Sequence, residues 1–255
     1  MAKNILDFQI IDNKQLNKDF FILKLLSGIP LPEILPGQFV QVRIDGSPDT
    51  FLRRPFSVHD VNYKTNEIKL LIQIAGNGTK TLSLLRKGSI LNLIFPLGNS
   101  FSLPPKGEKT LLVGGGCGVA PLLYLAKYLK SNSCEFDILM GFRNKDRIIE
   151  YEEYSKLGSV YLTTEDGSEG EKGFVTHHSV LNENKYSRIY CCGPDSMLKA
   201  LSDYSRKHKI HCEVSLENLM ACGIGVCLCC VVNTTSGNVC SCTEGPVFNI
   251  NNLRW

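Results

Sequence analysis

Cysteines are the residues of this sequence whose number and spacing point to a chemical role. There are eleven, and six of them fall within residues 222–255. An odd number, two adjacent pairs and no visible export signal argue against a disulfide framework. Thiols clustered in a reducing compartment more often hold a metal or an iron–sulfur centre. The carboxy-terminal cysteines therefore indicate such a centre.

The spacing C-x4-C-x2-C is formed by Cys222, Cys227 and Cys230, with a fourth cysteine further on. It is typical of plant-type [2Fe–2S] ferredoxins, in which one loop supplies three thiolates and a distant segment supplies the fourth. Gly223 and Gly225 would let backbone N–H groups approach the sulfurs. The alternatives are a structural zinc site, which favours two C-x2-C knuckles, and inert buried thiols. Cys229 and Cys240 are spare, and each could compete for a ligand position.

Two strand–loop–helix patterns in the second half of the chain predict a nucleotide site. The first loop contains Gly114, Gly115, Gly116, Gly118 and Pro121, and the second contains Cys192, Gly193 and Pro194. Glycines allow a close approach to phosphate, and a helix N-terminus offers free N–H groups. Ligands of open α/β sheets bind beyond the carboxyl ends of strands, where both loops would lie. Because the first loop does not match G-x-G-x-x-G cleanly, a turn that only packs strand against helix is the alternative.

The first hundred residues carry two further loops that could bind a flavin nucleotide. One contains Arg54, Pro55, Phe56 and Ser57, and the other contains Gly78 and Thr79. Arginine matches phosphate bidentately, and an aromatic ring can stack on a flat ring system. The alternatives are an exposed basic turn for the first loop and a hairpin turn for the second.

The pattern of apolar residues predicts the elements that position these loops. Strands over 20–25, 39–44 and 68–74, separated by Pro- and Gly-rich turns, indicate an antiparallel barrel or sandwich. After a linker at 103–107, short apolar strands alternate with helices, which indicates βαβ units and a parallel sheet. We therefore expect a β + α/β chain with an antiparallel β-barrel at 1–103 and an α/β domain at 108–212. A cysteine-rich segment with little regular structure follows at 213–255.

Composition excludes several classes of function. Lys and Arg total 28 against 25 Asp and Glu, and charged residues make up 21%. A net charge of only +3 lacks the basic character of nucleic-acid-binding proteins. The longest apolar stretch, 111–126, is interrupted by four glycines and a proline, so it does not predict a membrane span. We expect a cytoplasmic protein with neither nucleic acid nor membrane as a partner.

In this order, the motifs resemble those of the ferredoxin–NADP reductase superfamily, in which a flavin barrel precedes a nicotinamide domain. The segments 217–227, 242–248 and 96–101 more narrowly resemble the electron-transfer subunits of class 1B, NAD-dependent dihydroorotate dehydrogenase. The similarity covers nearly the whole chain, and its carboxy-terminal motif is the most specific part.

The resemblance implies a role for each motif. Arg54 would bind FAD phosphates and Pro55, Phe56 and Ser57 would belong to the same FAD-binding motif, with Phe56 and Ser57 near the isoalloxazine. Leu71, Ile72 and Gln73 would line the flavin, and Gly78 and Thr79 would hold its pyrophosphate. Both glycine loops would frame the NAD site. The cluster ligands would be Cys222, Cys227, Cys230 and Cys242, the last preferred because it directly precedes a Thr-Glu-Gly-Pro run.

The resemblance also implies the function. Electrons would pass from the FMN of a dihydroorotate dehydrogenase catalytic subunit through the [2Fe–2S] cluster and FAD to NAD⁺, in pyrimidine biosynthesis. The expected complex is a heterotetramer with two copies of each subunit, and no catalytic acid or base is expected in this chain. The alternatives are a subunit of another NAD(P)H–ferredoxin or sulfide-linked oxidoreductase complex, and a non-enzymatic redox or metal sensor. Arg143 and Lys145 are candidates for a 2′-phosphate site, so the preference for NAD comes from the family.

Overall fold

Two seven-stranded sheets organise the chain in a computed structural model that describes residues 3–183 and 185–255. The first sheet is an antiparallel half-barrel and the second is a mainly parallel sheet with helices. The expected fold class is confirmed. Among the described residues, no helix has the length and apolar content needed to cross a membrane.

The half-barrel has the strand order β4-β3-β7-β1-β2-β6-β5, and all its pairs are antiparallel. A short helix, α1, joins β6 to β7. The elements are β1 Asn4–Gln15, β2 Phe20–Ser27, β3 Phe39–Val42, β4 Arg54–Ser57, β5 Asp60–Asn62, β6 Glu67–Gln73, α1 Asn77–Ser83 and β7 Ile90–Leu97.

Strand β2 is buried on both faces. Phe21, Leu23 and Leu25 fill the core of the half-barrel, whereas Phe20 and Ile22 pack on the other side with residues of the second sheet. This is why β2 reads as a continuous apolar run. Strand β1 was not predicted, because its exposed positions carry charged and polar residues and interrupt the apolar pattern.

The second sheet has the strand order β11-β10-β9-β8-β12-β13-β16, parallel except for β16, which runs antiparallel to β13. Helix α2 follows β8, and helix α4 connects β12 to β13, as expected for βαβ units. The elements are β8 Lys109–Gly115, α2 Ala120–Ser131, β9 Glu135–Phe142, α3 Tyr151–Ser155, β10 Ser159–Thr164, β11 Glu171–Lys172, β12 Arg188–Cys192, α4 Asp195–His208, β13 His211–Ser215, β14 Val231–Thr234, β15 Gly237–Cys240 and β16 Val247–Asn249.

The cysteine-rich segment has more regular structure than its sequence indicates. Strands β14 and β15 form a separate antiparallel hairpin, and β16 returns to the edge of the parallel sheet. The boundary expected between residues 212 and 213 falls inside β13. This strand pairs with β12 on one side and with β16 on the other. Both ends of the segment are therefore held by the second sheet.

Helix α2 links the two sheets. The Tyr124 hydroxyl donates to the Ile34 carbonyl at 2.8 Å, and the Lys127 ammonium pairs with Asp60 at 2.7 Å. At the start of the helix, Nδ1 of the buried His59 lies 2.7 Å from the Ala120 carbonyl. These contacts fix the loop between β8 and α2 against the half-barrel.

A buried carboxylate fastens the connection between the sheets. Glu213, on β13, accepts hydrogen bonds from the Ser102 N–H at 2.9 Å and from the Ser102 hydroxyl at 2.6 Å. His211 lies 3.1 Å from the same carboxylate, and the guanidinium of Arg188 lies at 4.0 Å. Residue 102 lies in the segment between β7 and β8, so this carboxylate ties that segment to the parallel sheet.

We expect Glu213→Ala to lower the free energy of unfolding by about 2 kcal/mol, because it removes a buried carboxylate that accepts two hydrogen bonds from Ser102. Urea denaturation of the purified chain measures the change. Glu33→Ala, at an exposed carboxylate of the half-barrel, serves as the control. A loss below about 0.5 kcal/mol, the range of ordinary surface substitutions, would contradict the role of Glu213.

Candidate functional site

The four cysteines expected as ligands form two pairs. The thiols of Cys222 and Cys227 contact each other in the loop before β14, and those of Cys230 and Cys242 contact each other beneath it. Cys222 is half-buried and Cys227 is exposed, whereas Cys230 and Cys242 are 2% and 1% exposed. The chain thus brings together all four predicted sulfurs, although they are separated by up to twenty residues in the sequence.

The buried pair lies against the outward face of the half-barrel. Cys230 and Cys242 form one apolar cluster with Phe39 of β3 and Leu97 of β7. Ser241, between Cys240 and Cys242, donates its N–H to the Cys230 carbonyl at 2.9 Å, which holds the two cysteine-bearing stretches together. The cysteine site therefore sits directly on the sheet that contains β4.

Backbone donors surround the first thiol. The Ile224 N–H donates to the Cys222 sulfur at 3.4 Å. Burial opposes ionisation of this thiol, but the N–H groups of Ile224 and Cys227 lower its pKa to about 6. Gly223 and Gly225 have φ angles of 70° and 87°, in the left-handed region that glycine adopts without strain. The loop is shaped to surround an anionic sulfur centre.

The paired arrangement fits a two-iron cluster. Each iron of a [2Fe–2S] cluster takes two protein ligands, whereas structural zinc takes four at one point. In the described ranges 3–183 and 185–255, no three His, Cys, Asp or Glu side chains converge as a single-ion site. Two pairs of thiols beside each other match the iron–sulfur interpretation.

The two spare cysteines differ in position. Cys229 is exposed, and its thiol donates to the Leu219 carbonyl at 3.7 Å. Cys240 is half-buried at the end of β15 and contacts the Cys230 thiol. Burial and the neighbouring Cys230 raise the pKa of the Cys240 thiol. Cys240 is thus the stronger competitor for the fourth ligand position.

A cavity of about 680 Å³ opens at the carboxyl edge of the parallel sheet, between this sheet and the half-barrel. Among the predicted residues, it is lined by Gln73, Gly115, Gly116, Gly118 and Pro194. Gly114, Pro121, Cys192 and Gly193 lie in the same two loops without lining the cavity. Thr163, also in its wall, is buried and its hydroxyl has no hydrogen-bond partner, which fits a polar ligand.

The two glycine loops touch each other at Gly118. A Cβ at this position would lie 2.2 Å from the carbonyl oxygen of Cys192 and 2.6 Å from the Cα of Gly193. Only glycine permits this contact, which joins the turn before α2 to the turn before α4. The predicted pair of loops therefore forms one continuous wall.

The predicted flavin residues lie on two strands. Arg54, Pro55, Phe56 and Ser57 form β4, and all four are half-buried. Because β4 is the terminal strand of its sheet, its outer edge is open to a ligand. On β6, Leu71 packs with residues of the second sheet and Gln73 lines the cavity. Ile72, between them, points into the half-barrel core. The side chain of Ile72 therefore cannot line a ligand in the cavity, which leaves only its backbone for that role.

Gly78 and Thr79 lie in the first turn of α1. A Cβ at Gly78 would lie 3.0 Å from the Ile44 side chain and 3.1 Å from the Thr50 side chain, so this glycine is closely packed. The Thr79 hydroxyl accepts the N–H groups of Ala75 and Gly76 at 2.8 and 3.1 Å. The hydroxyl therefore stabilises the turn, and the role of the pair in holding pyrophosphate stays a prediction.

Two carboxylates in the cavity wall were missed by the sequence analysis. Glu165 follows β10, and Glu217 follows β13, so both stand beyond the carboxyl ends of parallel strands. The Cys192 thiol lies 3.9 Å from Glu217. Burial, with a smaller contribution from Asp195, raises the pKa of Glu217. A position directly after a strand is the sequence signal that could have found both glutamates. The strand before Glu217 was not predicted, so this signal was missing there.

Two family models match the chain. The iron–sulfur cluster binding domain of dihydroorotate dehydrogenase B matches residues 217–254, and the oxidoreductase NAD-binding domain matches residues 112–203. The first range contains all four paired cysteines, and the second contains both glycine loops.

Curated relatives extend the similarity to the whole chain. The dihydroorotate dehydrogenase B (NAD⁺) electron transfer subunit of Caldanaerobacter subterraneus subsp. tengcongensis is 43% identical over 219 residues, covering 84% of each chain. The protein of the same description from Fusobacterium nucleatum subsp. nucleatum is 36% identical over 250 residues, covering 95% of each.

Solved structures share the fold. An NADH-dependent reduced ferredoxin–NADP oxidoreductase superimposes with a TM-score of 0.87 at 29% identity, covering 97% of this chain and 90% of that one. Phthalate dioxygenase reductase superimposes with a TM-score of 0.67 at 16% identity, covering 92% and 88%, which concerns the fold alone.

The fold and its two sites define an NAD-linked flavin and iron–sulfur oxidoreductase of the ferredoxin-reductase type. Within that class, the chain belongs to the family of electron transfer subunits of NAD-dependent dihydroorotate dehydrogenase B.

We expect Cys242→Ser to abolish the cluster, because serine offers a weaker, harder ligand in place of one of four thiolates. Cys240→Ser and Cys229→Ser are matched controls that should retain it. Iron and acid-labile sulfide content of oxygen-protected protein, with the EPR signal after reduction, measures the outcome. Loss of iron in Cys240→Ser with retention in Cys242→Ser would show that the fourth ligand is misassigned.

We expect Gly118→Ala to lower kcat/KM for NADH by about 100-fold, because the added Cβ forces the two glycine loops apart by an ångström or more. Flavin content should stay at the wild-type value, since β4 and β6 are untouched. NADH oxidation with an artificial acceptor measures the effect. Gly28→Ala, where a Cβ meets nothing within 4 Å, is the control, and unchanged kinetics in Gly118→Ala would refute the contact.

Proposed function

We propose that this chain passes electrons from the FMN of a dihydroorotate dehydrogenase catalytic subunit through a [2Fe–2S] cluster and FAD to NAD⁺. The observation that carries the proposal is the position of the cysteine pairs: Cys230 and Cys242 pack on Phe39 of β3. Residue 39 pairs in register with Ser57 of the flavin motif on β4. The cysteine site and the flavin strand are thus separated by one strand of a rigid sheet.

A flavin can exchange electrons in pairs with nicotinamide and singly with an iron–sulfur cluster, so it belongs between these two groups. The residues of this chain would position the cofactors and exclude water from them. β4 and β6 would hold the flavin at the mouth of the cavity, and the wall joined at Gly118 would hold NAD. The thiolates of Cys222, Cys227, Cys230 and Cys242 would bind the cluster.

The surface around the cysteine loop supports a protein partner. Large apolar side chains in and beside the loop face solvent. Leu219 is 85% exposed, Val226 is 77% exposed and Leu228 is 64% exposed. Contiguous exposed apolar residues of this kind mark interaction surfaces. A catalytic subunit docked here would bring its own cofactor close to the cluster. We propose a heterotetramer of two subunits of each kind, located in the cytoplasm.

In this proposal, each expected part of the chain binds one cofactor. Residues 1–103 bind FAD, residues 108–212 bind NAD, and residues 213–255 bind the cluster. The last boundary lies within β13, so the third unit is an extension of the second sheet rather than an independent domain.

The alternative of another NAD(P)H–ferredoxin oxidoreductase has one supporting observation, the 0.87 TM-score with such an enzyme. Its identity to this chain is 29%, against 43% and 36% for the two dihydroorotate dehydrogenase relatives. The family model over 217–254 also names dihydroorotate dehydrogenase B. The dihydroorotate assignment is therefore the better supported.

The cavity wall supports a preference for NAD over NADP. Glu165 and Arg143 stand in the same wall, and both are exposed to the cavity solvent. Arg147 is engaged by Asp19 of the half-barrel at 2.9 Å, which removes one cation from phosphate binding. Lys145, a predicted phosphate ligand, does not line the cavity. The carboxylate of Glu165 would repel a 2′-phosphate and accept from a 2′-hydroxyl.

We expect Glu165→Gln to raise the ratio of kcat/KM for NADPH to that for NADH by about tenfold, equivalent to about 1.4 kcal/mol of removed repulsion. Steady-state oxidation of the two cofactors measures it. Glu152→Gln, an exposed position on α3, is the control, and an unchanged ratio would exclude Glu165 as the discriminating residue.

The proposed function is tested by coexpressing the chain with an FMN-containing dihydroorotate dehydrogenase subunit. We expect copurification, iron, sulfide and FAD in the complex, and anaerobic reduction of NAD⁺ by dihydroorotate. Val226→Asp, a charge placed on the apolar surface, should release the partner while NADH oxidation by the isolated chain continues. Zinc or no metal in oxygen-protected protein, or a complex that cannot reduce NAD⁺, would refute the proposal.

A further inference from the structure

A buried glutamine beside the cysteine site has no partner for its amide. Gln41 is 0% exposed, and neither its Oε1 nor its Nε2 makes a hydrogen bond. An unsatisfied buried polar group costs about 1–3 kcal/mol, so a fully orphaned amide in a protein core calls for a reason. The Ser241 side chain is also buried, and it contacts the Cys230 thiol.

The alternation of β3 directs Gln41 toward the cysteine segment. Val40 and Val42 point into the half-barrel core. Phe39 and Gln41 therefore point to the opposite face, because successive side chains of a strand alternate. On that face, Phe39 packs against Cys230 and Cys242. Gln41 lies two residues further along the same surface.

The amide contacts the loop that holds the first pair of thiols. A Cβ at Gly223 would lie 2.6 Å from Cγ of Gln41 and 2.7 Å from its Nε2. The nitrogen of the amide thus faces the backbone next to Cys222. Since φ of residue 223 is 70°, glycine meets both the conformation and the space that the glutamine leaves.

The backbone of Gln41 is part of the flavin side of the sheet. It pairs in register with Pro55 of β4, and its carbonyl accepts from the Arg53 guanidinium at 3.3 Å. One residue therefore touches the cysteine loop through its side chain and the flavin strand through its main chain. Among the described residues, no hydrogen bond competes for its amide.

We propose that Gln41 is a positioning residue for the iron–sulfur cluster, and that its Nε2–H group donates to the sulfur centre beside Cys222. The inference rests on the proposed function and adds a residue outside the cysteine motif. Hydrogen bonds to the sulfurs of a cluster stabilise its reduced, more negative form and raise its reduction potential. The same contact holds the loop at a fixed distance from β4.

Two variants of nearly equal volume separate this role from packing. Gln41→Met keeps the shape and removes both polar atoms, and Gln41→Glu keeps an acceptor but places a carboxylate beside an anionic centre. We expect both to lower the potential of the cluster, Glu more than Met. The expected change for Met is roughly tenfold in the reduction equilibrium, which is about 59 mV for a one-electron couple.

The measurement is an EPR-monitored redox titration of the full-length chain, with iron and sulfide counts for each variant. Gln9→Met, the same chemical change at an exposed position on β1, should leave the potential and the g-values at their wild-type values. A cluster-containing Gln41→Met protein with the wild-type potential would overturn the proposal.

A second measurement uses the wild-type chain, so that it decides the case even where Gln41→Met fails to assemble a cluster. Protein labelled with ¹⁵N in glutamine side chains should show a ¹⁵N coupling to the reduced cluster in pulsed EPR. Absence of the coupling in cluster-containing wild-type protein would overturn the role of Gln41 and leave the proposed function intact. Wild-type protein without iron and sulfide would instead overturn the proposed function itself.

Discussion

Strand β3 has two faces with different partners, and the arrangement of the cofactor sites depends on that alternation. Val40 and Val42 belong to the half-barrel core, whereas Phe39 and Gln41 meet the cysteine-rich segment. Its hydrogen-bonded edge carries β4, the strand of the flavin motif. In the proposed arrangement, a four-residue strand would set the spacing between cluster and flavin by ordinary sheet geometry, with neighbouring strands about 4.8 Å apart. A one-residue slip of register would turn Phe39 and Gln41 inward and separate the centres from their support.

Much of the site could be predicted because its chemistry is local in sequence. Cys222, Cys227 and Cys230 lie within nine residues, and each glycine loop follows one apolar strand that a short window detects. The prediction of Cys242 as the fourth ligand required the family resemblance, since spacing alone left Cys240 as a candidate. The structure distinguishes them by burial: Cys242 is 1% exposed, and Cys240 is half-buried at the end of a hairpin strand.

What sequence reasoning missed depends on contacts between distant segments. Gln41 is an ordinary polar residue in an apolar strand until residue 223 is folded against it. Glu165 and Glu217 become neighbours of the cavity only when β10 and β13 end at the same edge of the sheet. The strand over 247–249 was also missed, because three residues carry too little pattern, and its pairing with β13 was what closed the segment.

That pairing has a consequence for how the chain could be modified. Ser215 and Val247 are opposite each other on adjacent antiparallel strands, so residues 216–246 leave the sheet and return to it at one point. Such an excursion resembles a domain inserted into a hairpin, but its removal would uncover Phe39 and Leu97 of the half-barrel, so these two positions would need polar side chains. A tight turn joining residues 215 and 247 would keep β13, β16 and the nucleotide-facing sheet edge. The product would be a compact pyridine-nucleotide flavoprotein freed of its metal-bearing appendage.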